Sequence, residues 1–176
     1  MNTQLSTLAL IGPPGAGKTT IGRRLAGLLE IDFIDTDEAV VAAAGQPIAE
    51  IFVDQGEDAF RVLERRAVAD ALARARSTPM VLALGGGAPL DPITAAELES
   101  ATVVFLDVSD AVAIRRVGLD SPRPLLAASP RRAWRELMAK RRPVYEGLAD
   151  AIVQVDDLTP DDAAGRIAAL LTEGER

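Results

Sequence analysis

Residues 12–19 read GPPGAGKT and match the pattern G-x-x-x-x-G-K-[S/T] at every position. A backbone this rich in glycine can turn successive N–H groups toward a phosphate, and a helix N-terminus would strengthen the attraction. Lys18, one of only two lysines in the chain, would place a charge on the outer phosphates, and the Thr19 hydroxyl could bind magnesium. The motif predicts a nucleoside triphosphate site, without distinguishing a kinase from a GTPase or a motor.

Two acids, Asp35 and Asp37, come at the end of the second strand-like run, in IDFIDTDEAV. The alternation of side chains along a strand predicts that both point the same way, past its carboxyl end. One could hold magnesium through water while the other orients a substrate hydroxyl. Capping of a following helix is the alternative interpretation.

Three consecutive glycines, Gly85, Gly86 and Gly87, directly follow another apolar run in LALGGGAPL. They leave the backbone bare, so a ligand could approach closely. The alternative is a sharp turn that needs positive φ angles.

Two arginines are candidates for binding anions. Arg61 lies near a helix start, where it could bind a ligand or form a surface ion pair with Glu57. Arg123 lies between two prolines in a loop, where it could clamp a transferring phosphoryl group or be solvated.

Two further basic clusters leave the choice of residue open. Arg115 and Arg116 could stack on a nucleobase or simply favour a helix C-terminus. In MAKRRPVYEG, one of Lys140, Arg141 and Arg142 could face the cleft while the others are solvated, and periodicity does not choose among them. A guanidinium pair would suit bidentate recognition of a carboxylate. Trp134 and Tyr145 are expected only to pack the helix that carries this cluster.

The elements that position these residues alternate along the chain. Strand-like runs cover 7–11, 32–35, 80–84, 102–107 and 151–155, and helix-like runs cover 19–30, 57–76, 109–117, 130–147 and 160–172. This order predicts an α/β fold with a five-stranded parallel sheet, whose ligands bind outside the carboxyl ends of the strands. Residues 36–56 contain short helical pieces around AGQPIAEIF and look like a small inserted substrate module, and residues 118–129 suit a mobile flap.

Composition restricts the chemistry. The 176-residue chain is 48% hydrophobic, with a net charge of −7 and a pI of about 4.7, which disfavours nucleic acid and anionic membranes as partners. It has no cysteine or histidine, so a general base would be a carboxylate and a metal would have oxygen ligands, which favours magnesium. We expect one cytoplasmic domain without a signal peptide or membrane span, and a monomer.

Together the segments GPPGAGKTTIGRRLA, DTDEAV, IAEIFVDQGEDAFRVLE, LALGGGA, RPLL and WRELMAKRRPVYEGLA resemble shikimate kinases of the actinobacterial type. The resemblance extends from residue 8 to about 168. It implies a P-loop NTPase fold of the nucleoside-monophosphate-kinase type, with a single kinase domain over 1–176, a substrate-binding insertion at about 36–61 and a lid at about 118–129. It also implies transfer of the ATP γ-phosphate to the 3-hydroxyl of shikimate, on the route to chorismate and aromatic amino acids.

The resemblance assigns roles residue by residue. For ATP it implies Gly15, Ala16, Gly17, Lys18, Thr19, Thr20, Arg116 and Arg123. For magnesium it implies Thr19 and Asp35, and for shikimate Asp37, Arg61, Gly85, Gly86, Gly87 and Arg141. It implies that Lys18, Asp37 and Arg123 are catalytic. Leu158 departs from the family, whose members often carry an arginine there beside the adenine, and this weakens the expectation of an adenine contact.

Two other functions are weighed against this one. The first is a kinase for another small polyol acid, such as gluconate, on the same fold. The second is a non-catalytic sensor of an aromatic-pathway ligand. The apparent completeness of both the phosphate and the acceptor residues favours the kinase for shikimate.

Overall fold

A computed structural model describes residues 7–118 and 129–173. These residues form an α/β fold around a five-stranded, all-parallel sheet. The strands are β1 (Leu8–Ile11), β2 (Asp32–Asp35), β3 (Met80–Ala83), β4 (Thr102–Asp107) and β5 (Ala151–Gln154). Their order in the sheet is β2-β3-β1-β4-β5. Each strand matches its predicted range to within one residue, because buried parallel strands are nearly continuous apolar runs.

Seven α-helices flank the sheet in the described ranges. They are α1 (Lys18–Leu29), α2 (Thr36–Ala44), α3 (Ile48–Ala75), α4 (Pro92–Glu97), α5 (Asp110–Gly118), α6 (Pro130–Leu148) and α7 (Pro160–Glu173). The five helices predicted from periodicity are all present. None of the helices in these ranges is long and apolar enough to cross a membrane. Residues 119–128, which include most of the predicted lid, lie outside the described ranges.

The register of the sheet brings the functional loops together. Leu10 of β1 is level with Ala83 of β3 and Val104 of β4, and Asp35 of β2 is level with Ala83. The carboxyl ends of these strands therefore lie along one edge of the sheet. The segments that follow β1, β2 and β3 are the ones that carry the glycine motif, the two acids and the triple glycine.

The α2–α3 segment has its own small hydrophobic core. Val40, Ile51 and Phe60 are buried together, separately from the main core around the sheet. A kink at Gly56, where φ is 83°, divides α3 into two parts. The second part begins where periodicity predicts a helix from residue 57. A small separate core is what the predicted insertion at 36–61 would require.

One helix was absent from the sequence prediction. The short helix α4 lies between two 3-10 turns at 88–90 and 98–100. Asp91 caps α4, accepting hydrogen bonds from the N–H groups of Ile93 at 2.8 Å and Thr94 at 3.2 Å, and Pro92 occupies its first turn. The Asp-Pro pair is a helix-start signal that was available in the sequence.

Two glycines of α1 give a matched test of how closely this helix packs on the sheet. A Cβ on Gly22 would come within 2.5 Å of the Phe33 ring, whereas a Cβ on Gly27 would meet nothing within 4 Å. Gly22→Ala should therefore lower the free energy of unfolding by about 1–3 kcal/mol through overpacking. Gly27→Ala should raise it by about 0.5–1 kcal/mol, because alanine loses less backbone entropy in a helix. Urea denaturation measures both; changes of the same sign would contradict the packing described here.

Candidate active site

The glycine-rich loop between β1 and α1 is shaped by close backbone contacts. Gly15 has a φ of 87°, and a Cβ there would lie 2.7 Å from the carbonyl oxygen of Ala113. Gly17 caps α1 without a side chain, so no side-chain acceptor occupies the first N–H groups of the helix. The Lys18 amine donates hydrogen bonds to the carbonyl oxygens of Gly12 at 2.9 Å and Pro13 at 3.1 Å. The loop therefore presents a cation and a helix N-terminus at one place, an arrangement that binds phosphates.

A cavity of about 500 Å³ opens beside this loop. Its wall contains Pro14, Gly15, Gly17, Lys18, Thr19, Thr20, Ile21, Asp35, Asp37, Leu84, Gly86, Arg116, Val117, Leu158 and Pro160. Nine of the residues predicted for the site are thus brought together. Ala16 is not part of the wall, since it is fully buried and its N–H donates to the Pro13 carbonyl oxygen at 3.2 Å.

Asp35 connects the loop to the start of α2. Its Oδ1 accepts hydrogen bonds from the N–H groups of Asp37 at 2.9 Å and Glu38 at 3.2 Å, so it caps the helix. Its Oδ2 accepts a hydrogen bond from the Thr19 hydroxyl at 2.6 Å. Asp35 is therefore both a cap and a member of the site. A hydroxyl and a carboxylate in contact are oxygen ligands of the kind that magnesium prefers.

The prediction that strand alternation aligns Asp35 with Asp37 was wrong. Strand β2 ends at Asp35, and Asp37 lies in the first turn of α2. Both residues nevertheless form part of the cavity wall. The helix begins immediately after the strand because Asp35 caps it, and this turn brings Asp37 to the cavity.

Each glycine of the segment 85–87 lies against a charged side chain. A Cβ on Gly85 would come within 2.5 Å of Asp37 Oδ1 and 2.8 Å of Glu64 Oε1, and one on Gly86 would be 3.0 Å from Arg141 Nη1. A Cβ on Gly87 would clash with the Arg61 guanidinium. The bare backbone thus makes room for the protein's own charged groups, a reason that the sequence interpretation did not include. The contacts with Gly86 and Gly87 place Arg141 and Arg61 at the same turn, although neither arginine is part of the cavity wall.

Arg61 is held by two acids, one of which was not predicted. It donates to Glu57, 3.1 Å away, as the sequence alternative proposed, and also to Glu64 at 2.6 Å. Burial alone lowers the pKa of Arg61, but the hydrogen bonds and charges of Glu64 and Glu57 outweigh it and raise the pKa. Arg61 therefore stays fully charged and oriented.

Glu64 is a buried acid within the site, only 4% exposed. Burial raises its pKa above the ordinary value of 4.5, and the nearby charge of Asp37 adds to that effect. The hydrogen bond and charge of Arg61, and the charge of Arg141, oppose the rise without cancelling it. Helical spacing from Arg61 was the only sequence signal for Glu64, and by itself that spacing indicates no more than an ion pair.

The structure distinguishes the three basic residues of α6. Arg142 donates to both carboxylate oxygens of Asp107, at 3.0 and 2.7 Å, and lies over the Phe105 ring. Lys140 is exposed. Arg141 is the one whose guanidinium lies beside Gly86. Arg142 is thus an anchor of α6 to β4, rather than the solvated residue that the sequence suggested.

Tyr145 packs α6 against the sheet as predicted, but its hydroxyl also reaches the glycine turn. The residue is fully buried, with its ring 5.2 Å from that of Phe105. The hydroxyl donates a hydrogen bond to the Gly86 carbonyl oxygen at 2.6 Å. Burial raises the pKa of Tyr145, although the charge and side-chain hydrogen bond of Arg141 oppose the rise. No pattern in a single sequence indicated this contact.

The cavity wall also includes Arg116, Val117, Leu158 and Pro160. Arg116 donates to the carbonyl oxygens of Gly15 at 3.3 Å and Val155 at 3.0 Å, which ties the phosphate loop to the end of β5. Leu158 and Pro160 complete the wall there, while Arg115 is not part of it. Arg123 lies outside the described residues.

The parallel sheet and the phosphate loop define a P-loop NTPase of the nucleoside-monophosphate-kinase type. The family model for shikimate kinase matches residues 14–172. The chain is 54% identical to a shikimate kinase of Salinispora arenicola over 162 residues, which are 92% of this chain and 95% of that protein. For a shikimate kinase of Thermobifida fusca the identity is 50% over 159 residues, 90% of this chain and 91% of the relative. This chain belongs to the shikimate kinase family.

Solved structures agree with the family assignment. A shikimate kinase from Acinetobacter baumannii in complex with shikimate superposes with a TM-score of 0.91 at 33% identity, covering 97% of this chain and 95% of that one. A shikimate kinase from Aquifex aeolicus gives a TM-score of 0.80 at 29% identity, covering 96% and 98%. The match extends over nearly the whole length of each chain.

The raised pKa of Glu64 predicts how stability changes with pH. Between 4.5 and the higher native pKa, the folded protein binds more protons than the unfolded chain, so rising pH should reduce the stability that this group contributes. Relative to Glu64→Gln, the wild-type protein should therefore lose free energy of unfolding as the pH rises from about 4 toward neutral. Urea denaturation at several pH values measures the difference.

Glu57→Gln is the matched control for this experiment. Glu57 binds the same arginine, but its side chain is 65% exposed. Its variant should show no comparable change relative to wild type. A wild-type protein that gains stability over Glu64→Gln as the pH rises would mean that the ion pair outweighs burial, contrary to our expectation.

Proposed function

We propose that the protein is a shikimate kinase that transfers the γ-phosphate of ATP to the 3-hydroxyl of shikimate, giving shikimate 3-phosphate and ADP. The observation that carries the proposal is one cavity that contains both the phosphate loop and the Asp37 carboxylate. The glycine turn, with two arginines against it, borders the same place. The related enzyme from Acinetobacter baumannii, which shares this fold, has shikimate bound.

On the nucleotide side, the loop backbone and Lys18 would hold the phosphates. Lys18 would exchange its hydrogen bonds to the Gly12 and Pro13 carbonyl oxygens for bonds to phosphate oxygens. Thr19 and Asp35 would hold magnesium, with phosphate oxygens and water as the other ligands, because no group of three or more acids in the described ranges could hold the ion alone. Bound magnesium supplies positive charge that offsets the phosphate charge.

On the acceptor side, Asp37 would orient the 3-hydroxyl and accept its proton. The hydroxyl oxygen forms a bond to the γ-phosphorus, and the bond from that phosphorus to the ADP oxygen breaks. Arg61 and Arg141 would bind the shikimate carboxylate, with N–H groups of Gly86 and Gly87 nearby. Two planar cations at one short turn suit a carboxylate better than they suit a neutral sugar.

Three parts of the expected enzyme stay predictions. Arg123 and a lid at 118–129 would close over the phosphates and exclude water, which otherwise competes as the acceptor. Arg116 would lie near the adenine, at the part of the cavity wall where Leu158 stands in place of the arginine that many family members carry. A monomeric state and a cytoplasmic location are expected from the sequence interpretation.

The direct test measures ADP release with magnesium, ATP and candidate acceptors. Shikimate should stimulate release, and gluconate should not. Turnover with gluconate alone would replace the proposal with the other kinase. Calorimetric binding of ADP and shikimate without any turnover would favour a sensor.

The role of Asp37 predicts a large kinetic effect. Asp37→Asn should lower kcat for shikimate by about 10²–10⁴-fold, because the amide cannot accept the proton, while affinity for ATP stays near normal. Asp32→Asn makes the same chemical change at the exposed start of β2 and should leave both unchanged. A near-normal kcat in Asp37→Asn would remove Asp37 from the chemistry.

The crowding at Gly85 predicts that one methyl group disrupts the acceptor site. Gly85→Ala should lower kcat/KM for shikimate by about 100-fold, since the Cβ would displace the carboxylates of Asp37 and Glu64. Gly147→Ala, at an exposed position of α6 where a Cβ meets nothing within 4 Å, is the control. Steady-state kinetics measure both, and equal activity in the two variants would contradict the role given to Gly85.

A further inference from the structure

The hydroxyl of Tyr145 is a polar group in the core that reaches the glycine turn. It donates a hydrogen bond to the Gly86 carbonyl oxygen at 2.6 Å, and the Arg141 guanidinium lies against the same glycine, with Nη1 3.0 Å from where a Cβ on Gly86 would be. Arg141 and Tyr145 are four residues apart in α6, so they lie on the same face of the helix. The hydroxyl and the guanidinium therefore meet the same residue of the turn from the same helix face.

The ring of Tyr145 is enclosed by the hydrophobic core. Its side chain is fully buried, and its ring packs against Phe105 of β4. Arg142 holds the same region of α6 through two hydrogen bonds to Asp107, and its guanidinium lies over the Phe105 ring. The hydroxyl is consequently fixed relative to the sheet, and it can fix the flexible guanidinium of Arg141.

We propose that Tyr145 is a positioning residue for substrate recognition: its hydroxyl holds the Arg141 guanidinium and the Gly86 backbone in the arrangement that binds the acceptor carboxylate. The inference rests on the proposed function, which makes Arg141 a carboxylate ligand. The inference adds a physical cause for the orientation of the Arg141 guanidinium. A long arginine side chain loses rotational freedom when it binds a ligand, and a hydrogen bond that orients it beforehand reduces that loss.

Packing alone would predict a different outcome. A tyrosine that only fills space would lose little affinity for substrate when its hydroxyl is removed, because the ring would still contact Phe105. A positioning role requires a selective effect on the acceptor. The two roles are separated by comparing KM values for the two substrates.

Tyr145→Phe is the direct test, since it removes the hydroxyl and keeps the ring. KM for shikimate should rise about three- to tenfold, the range expected for loss of one hydrogen bond, while KM for ATP changes less than about twofold. Thermal denaturation verifies that the variant is folded. An unchanged KM for shikimate, or equal rises for both substrates, would overturn the inference.

Trp134→Phe is the matched control on the same helix. Trp134 is also buried in the core, but its indole N–H has no hydrogen-bond partner among the described residues. Its variant should have a lower melting temperature with KM values close to those of wild type. A selective rise in KM for shikimate in this control would show that disturbing α6 anywhere has the same effect, and would count against a specific role for the Tyr145 hydroxyl.

A double-mutant cycle tests whether Tyr145 acts through Arg141. Arg141→Ala should weaken shikimate far more than ATP, and adding Tyr145→Phe to it should change KM for shikimate by less than about twofold. Non-additivity of this kind is expected of residues that form one hydrogen-bonded unit. Fully multiplicative effects would contradict the proposed route.

A spectroscopic test does not depend on turnover. Tyr145 is the only tyrosine in the chain, so protein grown with 3-fluorotyrosine gives a single ¹⁹F resonance from this ring. That resonance should differ between ligand-free wild type and Arg141→Ala, and shikimate should shift it only in the wild type. An identical resonance in the two ligand-free proteins would overturn the inference, whereas failure of the wild type to phosphorylate shikimate would overturn only the proposed function.

Discussion

The site depends on a short stretch of backbone that has no room for a side-chain carbon. At residues 85–87, carboxylates crowd the first glycine, and one guanidinium each crowds the second and the third. Without these glycines, the acidic and basic groups could not approach the same turn from three different helices. The ion pair between Arg61 and Glu64 then holds two of these groups in place. The arrangement of charged groups around residues 85–87 follows from the absence of side chains there.

The parallel sheet supplies the other constraint, since it brings distant parts of the chain to one edge. Strands β1 and β3 are adjacent in the sheet although about seventy residues separate them in sequence. The phosphate loop after β1 and the glycine turn after β3 become neighbours for that reason. Position and charge are what phosphoryl transfer chiefly requires of a protein, and a rigid sheet edge can supply both.

Buried polar groups that are not part of the cavity wall help to fix the geometry of the site. Glu64 orients Arg61 from the interior, at the cost of burying an acid whose pKa rises as a result. The Tyr145 hydroxyl performs a comparable task for the Gly86 carbonyl. Groups of this kind are expensive to bury, and they stay in place because each has a hydrogen-bond partner. They orient charged side chains beside a cavity whose own wall consists largely of backbone and short side chains.

The local features of this protein were determined by sequence alone: five strands to within a residue, the main helices, the phosphate loop and most of the charged residues now found at the cavity. These are short-range properties, set by apolar periodicity, glycine spacing and caps. Only the tertiary structure decided that Arg142 anchors α6 to Asp107, that Asp37 lies in the first turn of a helix rather than in a strand, and that Glu64 and the Tyr145 hydroxyl contact residues at the glycine turn. The physical reason is that each of those outcomes depends on contacts between residues brought together by the sheet, and a pattern along one chain does not record which distant partner a side chain will meet.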